Sequence, residues 1–342
     1  MSKDQGNKPK GILLINLGSP ESLKVRDVRR YLSEFLMDKR IIDLPYLFRF
    51  LIVYVFVLPF RPKKSAEAYK HIWTKNGSPL VENTRKLAAA LQKKVKNRVE
   101  FSMRYGKPSI KETLKKFEEN SIYDIYVIPL FPHYAMSSYE TCVEETQKAI
   151  KENHIKIKAR FHAPFYNDID YIEALFDTLK PYLKKKYDHL VFSYHGIPLR
   201  HLKKTDTTKK HCMIIEKCCE KKSKAHKFCY KHQSIQTSKM IAKRARIKDE
   251  NYTICYQSRF GKDSWLSPFT EETIVNLVDK GKKDILVMCP SFTADCLETL
   301  EEIGIRAREL FFKAGGKNFT LVPSLNDNKI WVSILKKWIE KA

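Results

Sequence analysis

Short apolar runs, rich in β-branched and aromatic residues, alternate along the chain with longer stretches whose apolar positions return every three or four residues. The runs are Gly11–Leu17, Val99–Met103, Asp124–Leu130 and Ile155–Phe161, then His189–Tyr194, Tyr252–Tyr256, Asp284–Cys289 and Phe319–Val322. Continuous apolar runs of this length suit strands covered on both faces, and the helical period between them supplies the cover. The pattern therefore predicts βαβ units, parallel sheets and an α/β fold. Eight strands divide four and four, giving one half at 10–170 and a second at 171–324. Residues 325–342 end in an amphipathic helix from Ile330 to Ala342, expected to pack back on the core through Trp331 and Trp338.

A weak internal repeat points to the same division. Leu17-Gly18-Ser19-Pro20 ends the first run and His195-Gly196-Ile197-Pro198 ends the fifth. Arg104-Tyr105-Gly106 follows the second, and Arg259-Phe260-Gly261 follows the sixth. Pro132 precedes Glu140-Thr141 by eight residues, as Pro290 precedes Glu298-Thr299. All of these lie at carboxyl ends of strands, where parallel sheets bind ligands, so a cleft between two facing halves is the expected site.

With 43% apolar and 30% charged residues, the 342-residue chain is neither disordered nor a polytopic membrane protein. A formal net charge of +25 favours anionic partners, the plain alternative being a solvated Lys-rich surface. No basic arm or nucleic-acid-binding motif accompanies it, so nucleic acid is not expected. Eight cysteines without a secretory signal, behind the polar start Met1–Asn7, argue for the cytosol. The longest apolar run, Leu47–Phe60, contains Arg49 and is shorter than the roughly 20 residues of a spanning helix. The region 44–60 is either a buried helix or an exposed apolar lip. As a lip, followed by Arg61, Lys63 and Lys64, it would dock on an anionic membrane surface.

Few residues are candidates for chemistry. His195 closes an apolar strand. Asp295, Glu298 and Glu302 are spaced for one helix face, and Glu302 is spaced to pair with Arg306. Each alone has an ordinary structural explanation: a satisfied imidazole, or acids at a helix N-terminus. Together at equivalent strand ends they suggest proton transfer or handling of a divalent metal. No nucleophile elbow, P-loop or G-x-G-x-x-G follows any strand. Arg104 would clamp an anionic group beside Tyr105, and Leu17, Phe131, Tyr134, Trp265 and Phe292 would give the rim an apolar, aromatic lining. A flat apolar ligand with carboxylate edges suits that mixture. Finally Cys212, Cys218, Cys219 and Cys229 fall within eighteen residues of a lysine-rich segment at 203–232. Iron–sulfur ligation, a zinc site using His211, His226 or His232, and unligated thiols all remain open.

The chain resembles the ferrochelatases. The resemblance is carried by LLINLGSPES with VRRYLSEFLMD, RPKKSAEAYKHIW with GSPL, FSMRYGKP, PLFPHYAMSSYET, VFSYHGIP, YQSRFGKDSWLSPFTEETI and CPSFTADCLETLEEI, nearly end to end. It implies a chelatase-like fold of two Rossmann-like halves, each a four-stranded parallel sheet flanked by helices, with a porphyrin between them. The implied activity is that of a lyase of haem and porphyrin biosynthesis: Fe²⁺ enters protoporphyrin IX, two protons leave and protohaem forms. His195 matches the family's active-site histidine, Glu298 its paired glutamate and Glu302 the next acid, with substrate Fe²⁺ expected at His195 and Glu298. Leu17, Arg104, Tyr105, Tyr134 and Phe292 match residues around the macrocycle, with Trp265 added from the rim. The 44–60 run matches the family's apolar lip, implying a cytoplasmic enzyme peripherally bound to the inner membrane, within reach of other haem-pathway enzymes. Some bacterial ferrochelatases hold a [2Fe–2S] cluster through cysteines of an internal insert, which implies Cys212, Cys218, Cys219 and Cys229 as ligands here. Cys296 stands where other members often have His, a departure bearing on metal preference.

Overall fold

A computed structural model describes residues 10–259, 261 and 263–342. The polar start Met1–Asn7 and Phe260 of the second repeat triplet lie outside the described residues. The strands are β1 (Lys10–Gly18), β2 (Arg98–Tyr105), β3 (Asp124–Pro129), β4 (Lys158–Phe161), β5 (His189–His195), β6 (Tyr252–Gln257), β7 (Asp284–Met288) and β8 (Asn318–Leu321). All eight expected strands form. The fourth is shorter than its apolar run because Ile155 and Ile157 bury their side chains from the approach loop. Two parallel sheets result, ordered β2-β1-β3-β4 and β6-β5-β7-β8. The identical order is the repeat made visible.

Covering the sheets are α1 (Val25–Leu36), α2 (Tyr46–Phe50), α3 (Arg61–Ile72), α4 (Pro79–Gln92), α5 (Ile110–Glu119), α6 (Thr141–Glu152) and α7 (Ile169–Leu179) in the first half of the chain. The second has α8 (Leu199–Thr205), α9 (Tyr230–Ala245), α10 (Thr270–Asp279), α11 (Arg308–Lys313) and α12 (Lys329–Lys341). Three stretches are π-helical: Leu51–Val57, Met136–Glu140 and Glu298–Ala307. The helix that follows the last strand of each sheet packs on a helix covering the other sheet, α7 on α9 and α12 on α4, so by packing α7 belongs with the second half. That exchange merges the halves into one core containing Leu14 and Leu175 as well as Phe192 and Leu286. Trp331 is fully buried there, and Trp338 stacks on His162 with ring centroids 4.1 Å apart. Burying one such side chain contributes about 1.5–3 kcal/mol.

The repeated glycine has a steric cause. At Gly18, φ is +117°, and a Cβ would stand 1.8 Å from the Tyr105 carbonyl oxygen. At Gly196 a Cβ would meet the Ser258 and Gln257 carbonyl oxygens at 2.9 and 3.0 Å. Each half thus brings the end of its central strand against the end of its neighbour, and only glycine permits the approach.

The 44–60 region is an exposed lip, and the buried-helix alternative falls away. Val53, Val57 and Leu58 anchor it to Leu36 and Ile42. Tyr46, Leu47, Phe48, Phe56 and Phe60 are each 61–76% exposed. Two buried aspartates fix its base. Asp38 accepts hydrogen bonds from Arg104, Tyr105 and Thr141 in the first half, while Asp43 pairs with Arg200 at 2.6 Å and with Lys204 on α8. Among the described residues no helix is long and apolar enough to cross a membrane.

Candidate functional site

The site is built where β5, β6 and the Glu298–Ala307 helix meet. His195 is the last residue of β5 and pairs in register with Gln257, the last of β6. Its Nδ1 lies 2.6 Å from the Gly196 carbonyl oxygen. A carbonyl can only accept, so Nδ1 carries a proton, and it is Nε2 whose lone pair the neutral tautomer would leave for chemistry. Gln257 donates from Nε2 to the Glu298 carbonyl at 2.8 Å and accepts from Ser193 Oγ at 2.9 Å. This amide ties the histidine's sheet to the glutamate's helix.

Glu298 begins the π-helix. It is partly accessible although protein surrounds it, the situation of a group on the floor of a narrow cleft. Burial pushes its carboxyl above the usual range, and the Glu302 carboxylate pushes it the same way; His195 pulls it back. Tyr31 and Tyr69 lie close enough to feel its charge, and the neighbouring Cys296 thiol is raised by burial and by that carboxylate. Glu302, one turn on, accepts from Ser258 Oγ and pairs through Oε1 with Arg306 at 3.2 Å. Arg306 is half exposed, so the line His195–Glu298–Glu302 leads toward solvent.

The repeat supplies an internal control. Glu140 is the first-half counterpart of Glu298, but it pairs with Arg40 at 3.0 Å and accepts a hydrogen bond from Tyr134. Among the described residues Glu298 has no ion pair with Lys or Arg, and its charge is left to interact with the imidazole and Glu302. The same topological position is structural in one half and chemically available in the other.

Several expectations need correction. Asp295 does not join the line of carboxylates, because its oxygens accept from Thr299, Ser324 and Asn326 and staple the helix start to the β8–α12 loop. The triplets Arg104-Tyr105-Gly106 and Arg259-Phe260-Gly261 are not equivalent. Gly18 faces Tyr105 and His195 faces Gln257, so Gln257 and Ser258 occupy the places of Arg104 and Tyr105. Arg104 is not presented as an anion clamp. It donates to Asp38 at 2.7 Å and to Thr141 at 2.7 Å, with Glu145 at 3.6 Å, and Tyr105 is fully buried beneath Phe35. Both residues position the wall.

The remaining rim residues divide into groups. Leu17 and Phe292 pack with Leu80, Ala294 and Cys296, joining the halves beneath Glu298. Trp265 sits over Gly196, next to His195, through the Pro198–Trp265 bridge. Tyr134 is half-buried against Phe228, beside the cysteine segment. Sequence reasoning missed Gln257, Ser258, Tyr31 and Tyr69. The first two stood in the YQSRFG stretch at a strand end, the same signal that singled out Arg104.

The four cysteines of the insert converge. The Cys212 and Cys219 thiols lie within hydrogen-bonding reach of Cys229, and the Cys218 sulfur is close enough to act on both. Cys212, Cys218 and Cys229 are buried and Cys219 is half-exposed. The histidines face the backbone instead: His211 and His226 reach the Cys218 carbonyl at 2.8 and 3.1 Å, and His232 the Cys219 carbonyl at 3.0 Å. The donor chemistry therefore fits thiolate ligation and leaves the imidazoles as loop supports. Among the described residues, no group of three or more His, Cys, Asp or Glu side chains is placed to hold a metal ion, here or at His195.

Two facing parallel sheets with an imidazole and a carboxylate line at their junction define a metal chelatase architecture. The solved sirohydrochlorin chelatase SirB from Bacillus subtilis subspecies spizizenii, in complex with cobalt, is similar at TM-score 0.55 and 11% identity over 97% of this chain and 94% of that one. SirB from Bacillus subtilis with Fe³⁺ is similar at TM-score 0.52 and 14% identity over 78% of this chain and 91% of that one. At those identities the likeness is one of fold. Sequence narrows it: the ferrochelatase family matches residues 9–342. Ferrochelatases of Opitutus terrae and Pseudomonas entomophila are 42% and 44% identical, over 97% of this chain and 99% and 98% of theirs. The chain belongs to the ferrochelatase family.

Proposed function

We propose that this chain inserts Fe²⁺ into protoporphyrin IX at the junction of its two halves, with His195 as the proton acceptor and Glu298 and Glu302 as the exit line. The observation that carries the reading is the free Nε2 of His195 beside a buried carboxyl whose pKa is raised. Metallation replaces two pyrrole N–H bonds by bonds to iron and releases two protons. Nε2 accepts one. Glu298, whose proton affinity burial and Glu302 increase, takes a proton more readily than an ordinary carboxylate, and Glu302 beside Arg306 passes it outward. The same oxygens offer weak, open ligation to the substrate iron, which must be released into the macrocycle rather than kept. Leu17, Phe292 and Trp265 would flank the ring, with Tyr134 at its rim, while Arg104 and Tyr105 hold the wall through Asp38.

The lip supports peripheral docking at a membrane. An apolar patch of this kind, flanked by exposed Arg61, Lys63 and Lys64, suits an anionic bilayer surface and an apolar substrate arriving from it. A cytoplasmic enzyme at the inner membrane, near the other haem-pathway enzymes, follows from that reading. Cys212, Cys218, Cys219 and Cys229 would hold a [2Fe–2S] cluster, supported by the mutual proximity of their thiols. Such a cluster supplies a one-electron redox centre. The test is an anaerobic assay with purified chain, Fe²⁺ and protoporphyrin IX, read by the porphyrin-to-haem absorbance change. Turnover supports the reading; tight porphyrin binding without metallation would make the chain a haem-binding protein on the same fold.

A further inference from the structure

Three hydrogen bonds in series connect the His195 imidazole to the residue that carries the buried carboxyl, and two of them are made by Gln257. His195 Nδ1 donates to the Gly196 carbonyl at 2.6 Å, and the Gly196 N–H donates to the Gln257 carbonyl at 2.7 Å. Gln257 Nε2 then donates to the Glu298 carbonyl at 2.8 Å. The amide cannot turn over. The Glu298 carbonyl only accepts, so the NH₂ group must face it, which leaves Oε1 to accept from Ser193 Oγ at 2.9 Å. That hydroxyl lies 2.8 Å from Thr270 Oγ1, and Gln257, Ser193 and Thr270 are all buried. Ser258 follows with φ +62°, a left-handed conformation uncommon outside glycine, Asn and Asp. Such a conformation persists where its surroundings over-determine it. Here the Ser258 hydroxyl donates to Glu302 Oε2, and its carbonyl would stand 2.9 Å from a Cβ at Gly196. Glu302 Oε2 is also 3.4 Å from Gln257 Nε2.

The first half has the same tie without the chemistry. Arg104, in the place of Gln257, donates through Nε to Thr141 at 2.7 Å, at the start of α6, while Glu140 beside it is already paired with Arg40. In both halves the end of the second strand fastens the start of a helix. We propose that Gln257 and Ser258 are positioning residues for metal insertion: Gln257 sets the separation of His195 from Glu298, and Ser258 keeps the Glu302 carboxylate in line behind it. The proposal rests on the ferrochelatase reading. A proton passes between groups only over hydrogen-bond distance. A helix start released from Gln257 would carry both acids away from the imidazole, while Leu17 and Phe292 would remain packed with Leu80 and Ala294. Misplacement by about 1 Å costs on the order of a hundredfold in rate.

The test measures kcat, and KM for both substrates, in anaerobic Fe²⁺ insertion into deuteroporphyrin IX by the full chain, with folding checked by circular dichroism. Gln257→Met keeps the length of the side chain and removes its polar ends. Its kcat should fall about tenfold or more, with KM for the porphyrin within about twofold of wild type. Ser258→Gly accepts the positive φ and loses the hydroxyl, so it decides the proposal should the buried methionine prevent folding. It too should lower kcat with KM for the porphyrin unchanged. Ser258→Asn tolerates the same φ and offers an amide donor to Glu302, so it should recover most of that loss. Thr146→Ala removes a buried hydroxyl that donates to the Cys142 carbonyl within α6, and should keep the wild-type kcat. A folded Gln257→Met protein with kcat within about twofold of wild type, or a loss carried by KM alone, overturns the role of Gln257. Ser258→Gly at the wild-type kcat, or Ser258→Asn no better than Ser258→Gly, overturns that of Ser258. A wild type that binds porphyrin but inserts no iron would overturn the ferrochelatase reading itself.

Discussion

Asp38→Asn is an isosteric change that removes one charge from a closed, buried cluster. The native carboxylate accepts from Arg104 at 2.7 Å, Tyr105 at 2.9 Å and Thr141 at 2.5 Å through Oδ2, and from the Arg40 N–H at 2.8 Å through Oδ1. Burial alone would raise its pKa, but the hydrogen bonds from Thr141 and the Arg40 backbone, with the Arg104 charge, hold it below its ordinary 3.8. Side-chain exposure of Arg104 is 11%, so after the substitution its guanidinium keeps the Thr141 hydroxyl but has only Glu145 at 3.6 Å as an ion-pair partner among the described residues. Removing one partner of a buried pair costs about 3–5 kcal/mol, and the residual Glu145 contact places this case near the lower end, at about 3 kcal/mol. Arg104→Gln in the Asp38→Asn background should recover part of that loss, because no charge is then stranded. The two substitutions should be less than additive by about 0.5–3 kcal/mol. Urea unfolding followed by circular dichroism at pH 7 measures both quantities. Because the folded pKa is depressed, the wild-type advantage is present above the ordinary carboxyl range and should shrink as pH falls below about 4. A single variant within about 0.5 kcal/mol of wild type, as at a surface position, would refute the buried-pair reasoning.

Four further outcomes follow from the site and its surroundings. Glu302→Gln removes the like charge facing Glu298, so the acid limb of the pH–rate profile should move to lower pH; an unmoved limb would detach that limb from Glu298. Since the folded pKa of Glu298 is raised, its ionisation destabilises the fold as pH rises through that value, and Glu298→Gln should melt higher than wild type at pH 8 while losing activity. His133 is buried and its pKa is pushed down to about 3 by burial, so native protein refuses the proton that unfolded chain accepts below about 6.5. Stability should fall by up to about 1.4 kcal/mol per pH unit on this account as pH drops from 6 to 4, and His133→Gln should flatten that slope in calorimetry. Replacing Phe48, Phe56 and Phe60 by Ser should abolish sedimentation with anionic vesicles yet leave metallation of deuteroporphyrin IX in solution within twofold of wild type; unchanged sedimentation would move membrane docking elsewhere.

What could be read in the sequence, and what could not, follows from the range of the interactions involved. The strands were legible because burial on both faces leaves a run that no amphipathic helix imitates. His195 and Glu298 were legible because a strand end and a Pro-to-Glu spacing are local features. The partner of Arg104 was not: Asp38 is 66 residues away, and only the fold reveals that the guanidinium already has an internal anion. Asp295 looked like a third carboxylate on one face because i, i+3 and i+7 assume a uniform α-helix, whereas the helix from Glu298 is π-helical and Asp295 is claimed by the β8–α12 loop. Gln257 was hidden by a triplet match two residues further on, where β6 continues into a loop longer than its first-half counterpart. The exchange of α7 and α12 between halves carries no local signal, since each helix shows only that one of its faces is apolar.

The most direct test of the central claim separates porphyrin binding from metallation in His195→Ala and Glu298→Gln. Both should bind deuteroporphyrin IX with affinity within a few-fold of wild type, because the walls come from other residues. Both should lose at least a hundredfold in the rate of anaerobic Fe²⁺ insertion, the scale of general acid–base assistance. Insertion at near wild-type rate by a folded His195→Ala protein would contradict the account, since the only free imidazole lone pair it assigns to the reaction would then be dispensable.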